Sequence, residues 1–390
     1  MRKKFSVIFI LLAFIITIGC FSGYGKPKVF ADDILNTASK SAYLIDANTN
    51  TVIYGNNENE RLPIASMCKI MTLILCFDAL NSGEICIDEM VKVSDNAAGM
   101  GGSQVFLESN AEYSVGELIK GIVVASANDA CIAMAERLYG SESTFVEKMN
   151  ERTKELGMEN TVFTNCTGLP KAGQYSCAKD VSKMFAELIK NNDYFRFSKI
   201  WTDVIKHPNN RITEIANTNK LIRFYQGCDG GKTGYTSEAG HCLAASAFRN
   251  GMRLIAVVIS APDSKTRFKD VTSMFNYGFA NYVNKMVIDD KKPLELNVSV
   301  DGGKKDTLEV RAEKPFFIFS RKDEHHSVEI DFVPNECIRA PIKIGEKVGV
   351  INIYENGIEI ANISVLANED IEEMTYFDII QDIGKKWALI

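Results

Sequence analysis

Ser66 and Lys69 lie three residues apart in the string Ser66-Met67-Cys68-Lys69. On a helix, this spacing places a hydroxyl and an amine one turn apart on the same face. A serine hydroxyl becomes a useful nucleophile when a neighbouring base takes its proton. A lysine amine, with an ordinary pKa of about 10.4, can be that base where burial and a second cation favour its neutral form. The apolar flanking residues favour such burial, so the pair predicts a serine nucleophile activated by a lysine.

A second serine stands two residues before an asparagine in the string Ser126-Ala127-Asn128. The serine hydroxyl can pass a proton to a leaving amine, and the asparagine amide can bind the backbone of a substrate. The string lies among apolar residues, where polar groups cost free energy unless they are hydrogen-bonded or functional. Taken alone, it is equally typical of a hydrogen bond at a helix end.

A third string, Lys232-Thr233-Gly234, precedes a predicted strand. The ammonium can attract a substrate carboxylate, the threonine hydroxyl can donate a hydrogen bond to it, and the glycine lets the substrate backbone approach closely. This lysine is also the second cation that would favour a neutral catalytic amine. Backbone N–H groups of Ser66 and Tyr235 can form an oxyanion hole.

The spacing of the first string recurs at Ser176 and Lys179, so this spacing alone does not identify the nucleophile. Ser66 is favoured because it precedes the second and third strings in the required order and opens an apolar helix. Ser176 follows Tyr175 in a more polar setting. We therefore predict that Ser66 is the nucleophile.

The hydrophobic pattern predicts both helices and strands around these residues. Apolar positions at helical spacing over residues 63–83 place Ser66 in the first turn of a buried helix. Helices are also predicted over 118–139, which contains Ser126, and over 143–156. Strands are predicted over 41–46, 51–54, 242–247 and 254–259. The fold class is therefore α+β.

Composition changes near Lys291-Lys292-Pro293, and residues 289–367 are predicted to form a small all-β domain after a catalytic domain over 32–288. Asn356-Gly357 is typical of a two-residue hairpin, because a type I′ turn has positive φ at both central positions. The predicted strands of the small domain are 294–300, 316–319, 328–332, 348–354 and 358–366.

Residues 368–390 carry an apolar stripe at helical spacing that continues to the chain end. A terminal amphipathic helix with Trp387 beside Lys385 and Lys386 is typical of a membrane-surface anchor. A helix that packs on the β domain is the alternative.

The N-terminus predicts export. Basic residues precede an apolar run over residues 5–21, and Val29-Phe30-Ala31 provides a cleavage site, so residues 1–31 are predicted to be a signal peptide. A lipid anchor at Cys20 and an uncleaved anchor are the alternatives.

Composition argues against several classes of function. The formal net charge of -6 gives no reason to expect nucleic-acid binding. The ten cysteines show no short Cys-x-x-Cys spacing, which favours buried free thiols over a disulfide framework. The four histidines have no metal-ligand spacing, which argues against a zinc hydrolase.

In this order, the three strings resemble those of the low-molecular-weight penicillin-binding proteins that act as serine D-alanyl-D-alanine carboxypeptidases. The resemblance runs from about residue 42 to residue 366. Thr161–Asn165 followed by Gly168-Leu169 looks like the family's loop after the second string. Tyr175-Ser176 with Asp180 is similar to another family signature, which gives the rival serine a structural explanation.

This resemblance implies a penicillin-binding/β-lactamase-like transpeptidase fold, with helices around an antiparallel sheet, followed by a small all-β domain. It implies that the catalytic residues are Ser66, Lys69 and Ser126. It implies that the substrate-binding residues are Asn128, Lys232, Thr233, Gly234, Tyr235 and Arg267. The last of these falls where the family has an arginine that helps to hold a terminal carboxylate.

The activity implied is removal of the terminal D-Ala from peptidoglycan stem pentapeptides through an acyl-enzyme on Ser66, without a metal or cofactor. β-Lactams would be covalent inhibitors because their strained amide resembles the scissile bond. The implied location is the outer face of the cytoplasmic membrane or the cell wall, with the membrane surface as a partner of the terminal helix.

Three other functions share the same motifs. A class A β-lactamase is a compact single domain, so the β domain and the terminal helix argue against it. Endopeptidase or transpeptidase activity differs only in the scissile bond or the acceptor. A penicillin-binding sensor or wall-binding protein would be acylated and would barely turn over.

Overall fold

The computed structural model describes residues 35–324 and 327–381, except for the side chain of Asn209. The predicted signal peptide and the last part of the predicted terminal helix, 382–390, lie outside the described residues. The described chain forms two compact units. The large unit comprises residues 35–248 and 253–277, and the small unit comprises residues 249–252 and 278–381.

A five-stranded sheet forms the centre of the large unit. Its strands, together with those of two small two-stranded sheets (β3 with β4 and β5 with β6), are β1 (Ser41–Asp46), β2 (Val52–Asn56), β3 (Met90–Lys92), β4 (Glu112–Ser114), β5 (Thr202–Lys206), β6 (Ile212–Ala216), β7 (Cys228–Thr236), β8 (Gly240–Arg249) and β9 (Met252–Ala261). The order in the sheet is β2-β1-β9-β8-β7. β1 pairs antiparallel with β2 and β9, and β7 pairs antiparallel with β8. The strands predicted over 242–247 and 254–259 are confirmed as the middles of β8 and β9.

Helices pack against this sheet and against one another. They are α1 (Lys69–Ser82), α2 (Asp95–Ala98), α3 (Val115–Lys120), α4 (Asn128–Tyr139), α5 (Glu142–Glu155), α6 (Ala178–Leu188), α7 (Tyr194–Ser198), α8 (Leu221–Phe224) and α9 (Ser264–Asn281). Short 3-10 helices cover Ala65–Cys68 and Pro208–Asn210. Helix α5 confirms the helix predicted over 143–156.

The buried helix predicted over 63–83 is confirmed as α1 with the 3-10 turn before it. Helix α1 packs against α4, α5 and α6, and its residues are buried on almost every side. A helix that is apolar all round belongs in a protein interior or a membrane. Ala65–Ser82 is long and apolar enough to cross a membrane, yet 72% of it is buried, so it is a core helix.

The helix predicted over 118–139 is divided in the structure. Helix α3 continues into a π-helical turn over Gly121–Ala125, Ser126 has left-handed backbone angles, and α4 begins at Asn128. Helical periodicity runs through this region because both segments bury apolar faces, so the pattern did not reveal the break at Ser126.

The small unit is all-β, as predicted. Its strands are β10 (Tyr282–Ile288), β11 (Pro293–Ser299), β12 (Thr307–Ala312), β13 (Phe316–Arg321), β14 (Val328–Pro334), β15 (Lys347–Glu355) and β16 (Ile358–Ala367). Five strands form a sheet in the order β11-β12-β16-β15-β14, and β10 pairs with β13. The turn between β15 and β16 has φ of 51° at Asn356 and 78° at Gly357, which confirms the predicted hairpin.

Three features of the small unit differ from the sequence predictions. The unit begins at residue 278 rather than 289, because β10 pairs with β13. Strand β12 was missed, although its alternate residues are buried. The predicted terminal helix starts late: Ile371 is 3% exposed and its backbone pairs with Ile342, and the helix begins only at residue 376.

Candidate active site

Ser66 lies on the tight 3-10 turn directly before α1 and is half-buried. Two glycines approach this turn closely. A Cβ at Gly168 would lie 2.1 Å from the Ala65 carbonyl oxygen, and a Cβ at Gly234 would lie 2.6 Å from the Ile64 carbonyl oxygen. Gly168 also has φ of +81°, which side chains disfavour. The serine is therefore held between the loop that contains Gly168 and strand β7.

Lys69 is fully buried one turn after Ser66. Its Nζ donates to Ser66 Oγ at 3.0 Å and also to the carbonyl oxygen of Thr167. Burial penalises the charged ammonium and lowers the pKa of Lys69 below its ordinary value of 10.5. Two buried thiols nearby, Cys68 and Cys131, stay protonated because burial raises the pKa of each. The direct contact with Ser66 and the burial of its amine therefore both support Lys69 as the base that the spacing predicts.

Ser126 and Lys232 form a second serine–lysine pair. Lys232 Nζ donates to Ser126 Oγ at 2.8 Å and to the Thr233 carbonyl oxygen at 3.0 Å. Burial, then the charge of Lys69, lower the pKa of Lys232 well below its ordinary value. Ser126 has φ of 62°, an uncommon conformation for a residue other than glycine. Such strained positions are found where the surrounding structure fixes a functional side chain.

Asn128 is hydrogen-bonded to residues 101–103, which precede Ser126 in the chain. Its Nδ2 donates to the Gly101 carbonyl oxygen, and its backbone N–H donates to the Ser103 carbonyl oxygen, each at 2.7 Å. The neighbouring Asp129 is fully buried and accepts from the backbone N–H groups of Val105 and Leu107. Helix α4 therefore anchors the segment that carries Ser103 beside the two serine–lysine pairs.

A cavity of about 330 Å³ opens between these elements. Six predicted site residues line it, and they are Ser66, Ser126, Thr233, Gly234, Tyr235 and Arg267. Lys69 and Lys232 stand behind the two serines, to which they are hydrogen-bonded. Among the described residues Asn128 does not line this cavity, and its amide is engaged with Gly101. The structure therefore brings the predicted residues together, while their chemical roles stay a prediction.

Arg267 reaches the cavity from α9. Its Nη1 donates to the carbonyl oxygens of Gly234 on β7 and Cys242 on β8, each at 3.2 Å, and its Nη2 donates to Ser264 Oγ at 3.3 Å. Arg267 is 7% exposed. It therefore places positive charge at the wall of the cavity that Thr233 also lines.

Four lining residues were missed by sequence reasoning, and they are Ser103, Thr218, His241 and Ser264. Three of them come from loops or a helix start without a recognisable motif. His241 is the strand partner of Tyr235, so its position at the cavity follows from the register of β7 and β8 rather than from a motif. Within the described residues, no group of three or more histidine, cysteine, aspartate or glutamate side chains is placed to hold a metal ion.

The rival serine, Ser176, has a structural role. Its hydroxyl is hydrogen-bonded to Thr161 Oγ1 at 2.8 Å, and Thr161 Oγ1 also donates to Asp180 at 3.0 Å. Lys179 is half-buried and lines a different cleft, beside Tyr43 and Arg253. The second occurrence of the spacing therefore does not form a serine–lysine pair.

Comparisons with known proteins identify the family of this chain. Residues 28–263 match the family model for D-alanyl-D-alanine carboxypeptidase (peptidase S11), and residues 282–373 match the C-terminal domain of penicillin-binding protein 5.

D-alanyl-D-alanine carboxypeptidase DacF of Bacillus subtilis is 40% identical over 368 residues, which cover 94% of both chains. The solved structure of penicillin-binding protein 5 from Haemophilus influenzae is similar with a TM-score of 0.70 and 29% identity, over 88% of this chain and 100% of that chain. A peptidoglycan synthesis regulatory factor (PBP3) from Streptococcus pneumoniae has a TM-score of 0.72 at 25% identity, over 87% of this chain and 100% of that one. The chain therefore belongs to the D-alanyl-D-alanine carboxypeptidase family of serine peptidases.

Proposed function

We propose that this protein removes the terminal D-alanine from D-Ala-D-Ala-terminated peptidoglycan stem peptides through an acyl-enzyme on Ser66. The observation that carries the proposal is the direct hydrogen bond from the buried Lys69 amine to Ser66 Oγ. Ser126 lines the same cavity with Lys232 hydrogen-bonded behind it, and this second pair supplies a route for the proton. The family membership supports the same activity.

In the acylation step, Ser66 Oγ attacks the carbonyl carbon of the penultimate D-Ala while neutral Lys69 takes the hydroxyl proton. The resulting oxyanion is stabilised by the backbone N–H groups of Ser66 and Tyr235. The C–N bond then breaks as the proton that Lys69 took is relayed through Ser126 to the leaving amine, which departs as D-alanine and leaves Lys69 neutral and Ser126 protonated. An ester between Ser66 and the shortened peptide remains.

In the deacylation step, water attacks the ester carbonyl with Lys69 again as the base. The peptide leaves with a new carboxylate and Ser66 Oγ recovers its proton. A β-lactam enters the same sequence, because its amide is also attacked by Ser66, and its opened ring stays attached as a penicilloyl ester. Penicillin is therefore expected to compete with the peptide for the serine.

The substrate's own charge fixes its orientation. A terminal carboxylate is attracted to the wall of the cavity that Thr233 and the cationic Arg267 line. Lys232, when it is protonated, adds positive charge that also attracts the carboxylate. The scissile bond is then carried towards Ser66 and Ser126, which line the same cavity.

The test is an assay of D-alanine release from a D-Ala-D-Ala-terminated peptide, with mass-spectrometric location of the penicilloyl adduct. Repeated turnover and an adduct on the peptide containing Ser66 are the expected results. An adduct without turnover would favour the binding or sensing role over the carboxypeptidase. An adduct on another serine would contradict the assignment of Ser66.

We also propose export and attachment to the membrane surface, for which the sequence is the main support. Within the described residues, Tyr376 and Phe377 are 74% and 76% exposed at the start of the terminal helix, and Ile380 is 49% exposed. Exposed aromatic and aliphatic side chains on an amphipathic helix favour insertion at a bilayer surface.

The membrane proposal is tested by sedimentation of the mature full chain with phosphatidylglycerol–phosphatidylethanolamine vesicles. Phe377→Asp should release most of the bound protein into the supernatant. Ile358→Asp is the matched control, because Ile358 is 70% exposed in the hairpin of the small unit. Equal vesicle binding by the Phe377→Asp variant and the wild type would refute attachment through this helix.

A further inference from the structure

His241 lines the cavity of the candidate active site, although no sequence motif predicted it. It is the strand partner of Tyr235 in the antiparallel pairing of β7 and β8. The two rings are stacked, with centroids 4.4 Å apart and planes 27° apart. Alternate residues of a strand share a face, so Thr233 lies on the same face as Tyr235. His241 therefore lines the same cavity as Thr233, whose hydroxyl is expected to hold the substrate carboxylate, and the stack on Tyr235 fixes the plane of the imidazole.

Two buried polar atoms at this wall have no hydrogen-bond partner among the described residues, His241 Nδ1 and Arg267 Nε. A buried donor or acceptor that stays unpaired destabilises the folded protein unless a ligand or water pairs with it. The remaining guanidinium nitrogens of Arg267 are engaged with protein oxygens. Both residues line the same cavity, and one unpaired nitrogen from each matches a ligand with two acceptor oxygens.

We propose that His241 is a specificity-determining residue that donates a hydrogen bond from Nδ1 to the C-terminal carboxylate of the substrate, beside Arg267 Nε. This inference rests on the proposed carboxypeptidase function. It identifies Tyr235 as the residue that orients the imidazole and His241 as a recognition group, in addition to Thr233 and Arg267.

The protonation state of His241 suits this role. Burial, then the charge of Arg267, lower the pKa of His241, while Asp263 opposes this shift. The imidazole is therefore neutral near pH 7 and has one N–H to donate. A carboxylate at the wall selects the tautomer with the proton on Nδ1, because a neutral ring donates from only one nitrogen.

The test compares two peptides that differ only at the C-terminus, a D-Ala-D-Ala peptide with a free carboxylate and the same peptide as its amide. His241→Phe keeps an aromatic ring for the stack on Tyr235 and removes the donor. A hydrogen bond to a charged group is worth about 1.5–3 kcal/mol, so kcat/KM for the free acid should fall about tenfold or more. The ratio of kcat/KM for acid over amide should fall with it.

His241→Asn is the rescue variant, because its side-chain NH₂ can donate from nearly the position of Nδ1. Recovery of most of the acid-over-amide ratio in this variant is the expected result. An unchanged ratio in His241→Phe would overturn the proposal, and so would equal ratios in His241→Phe and His241→Asn. Failure of the wild type to release D-alanine from the free acid would instead contradict the carboxypeptidase function itself, which keeps the two claims separable.

Discussion

The chain contains two strings in which a serine precedes a lysine by three residues, and they have different surroundings. Lys69 is fully buried and donates to Ser66 Oγ at 3.0 Å. Ser176 is also fully buried, yet its hydroxyl is hydrogen-bonded to Thr161, and Lys179 lines another cleft. The same spacing therefore produces a candidate nucleophile in one place and a structural hydrogen bond in the other.

The difference lies in the backbone between serine and lysine. Ser66 is already in a helical turn that continues directly into α1, so the lysine returns to the same face. Ser176 is extended, its backbone pairs with Leu62, and α6 begins only at Ala178. A residue spacing indicates side-chain proximity only when one helix includes both residues.

The largest expected effect is the difference in activity between substitution of Ser66 and substitution of Ser176. Ser66→Ala should lower kcat/KM for D-alanine release at least about a thousandfold, since removal of a catalytic nucleophile costs this much or more. Ser176→Ala should keep activity within a factor of about three and lower the free energy of unfolding by about 1–2 kcal/mol, the cost of a lost buried hydrogen bond. Steady-state kinetics and urea unfolding measure the two quantities. A thousandfold loss in Ser176→Ala with an active Ser66→Ala would reverse the assignment.

The next largest loss of activity is expected at the second serine–lysine pair, Ser126 and Lys232. No such pair lies beside Ser176 in the described residues. Ser126→Gly and Ser126→Ala both remove the hydroxyl that contacts Lys232, so both should lose about a hundredfold in kcat. The left-handed backbone of Ser126 costs a side-chain-bearing residue about 1–2 kcal/mol, and glycine avoids this cost.

Denaturant unfolding should therefore find Ser126→Gly about 1 kcal/mol more stable than Ser126→Ala, after allowance for the larger entropy that glycine loses on folding. Equal activity of wild type and both variants would remove Ser126 from the proton route. A less stable glycine variant would show that this backbone conformation is not strained.

The smallest expected effect is the difference between alanine substitutions at two glycines, Gly168 and Gly173, in stability and in the rate of acylation. Gly168 and Gly173 both have positive φ, but a Cβ at Gly168 would lie 2.1 Å from the Ala65 carbonyl oxygen, whereas at Gly173 the nearest atom is 3.8 Å away. Gly173→Ala should cost about 1 kcal/mol of stability through backbone strain alone. Gly168→Ala should cost more and should also slow penicillin acylation about tenfold, because the turn that carries Ser66 must shift. Equal acylation rates in the two variants would show that this packing does not position the nucleophile.

Much of the fold follows from local sequence patterns. The apolar run of α1, the strands β8 and β9, and the Asn356-Gly357 hairpin were all predicted, because each is determined by neighbours along the chain. The pairing of β10 with β13 joins residues that are distant in sequence, so no local pattern determined it. The burial of Ile371 likewise depends on a distant partner, Ile342, and helical periodicity alone assigned Ile371 to the terminal helix.

The candidate site divides in the same way. Ser66, Lys69 and Lys232 were predicted because their residue types and order are distinctive. The Thr167 carbonyl that holds Lys69 is a backbone atom, and a backbone acceptor leaves no trace in residue type. His241 reaches the cavity only through the register of β7 and β8. The sequence therefore indicates the reacting groups better than the groups that hold them.

The most direct test of the account is the pH dependence of penicillin acylation at Ser66. The ordinary pKa of lysine is 10.5, and burial lowers that of Lys69, so the neutral base is already available below pH 10.5. The second-order acylation rate constant should rise with pH through this lowered pKa and level off before pH 10.5. Lys69→Met should lose this rise together with most of the acylation, and Lys179→Met should follow the wild type. A wild-type rate that keeps rising to pH 10.5, or a Lys69→Met variant acylated as fast as the wild type, would contradict the buried amine as the base.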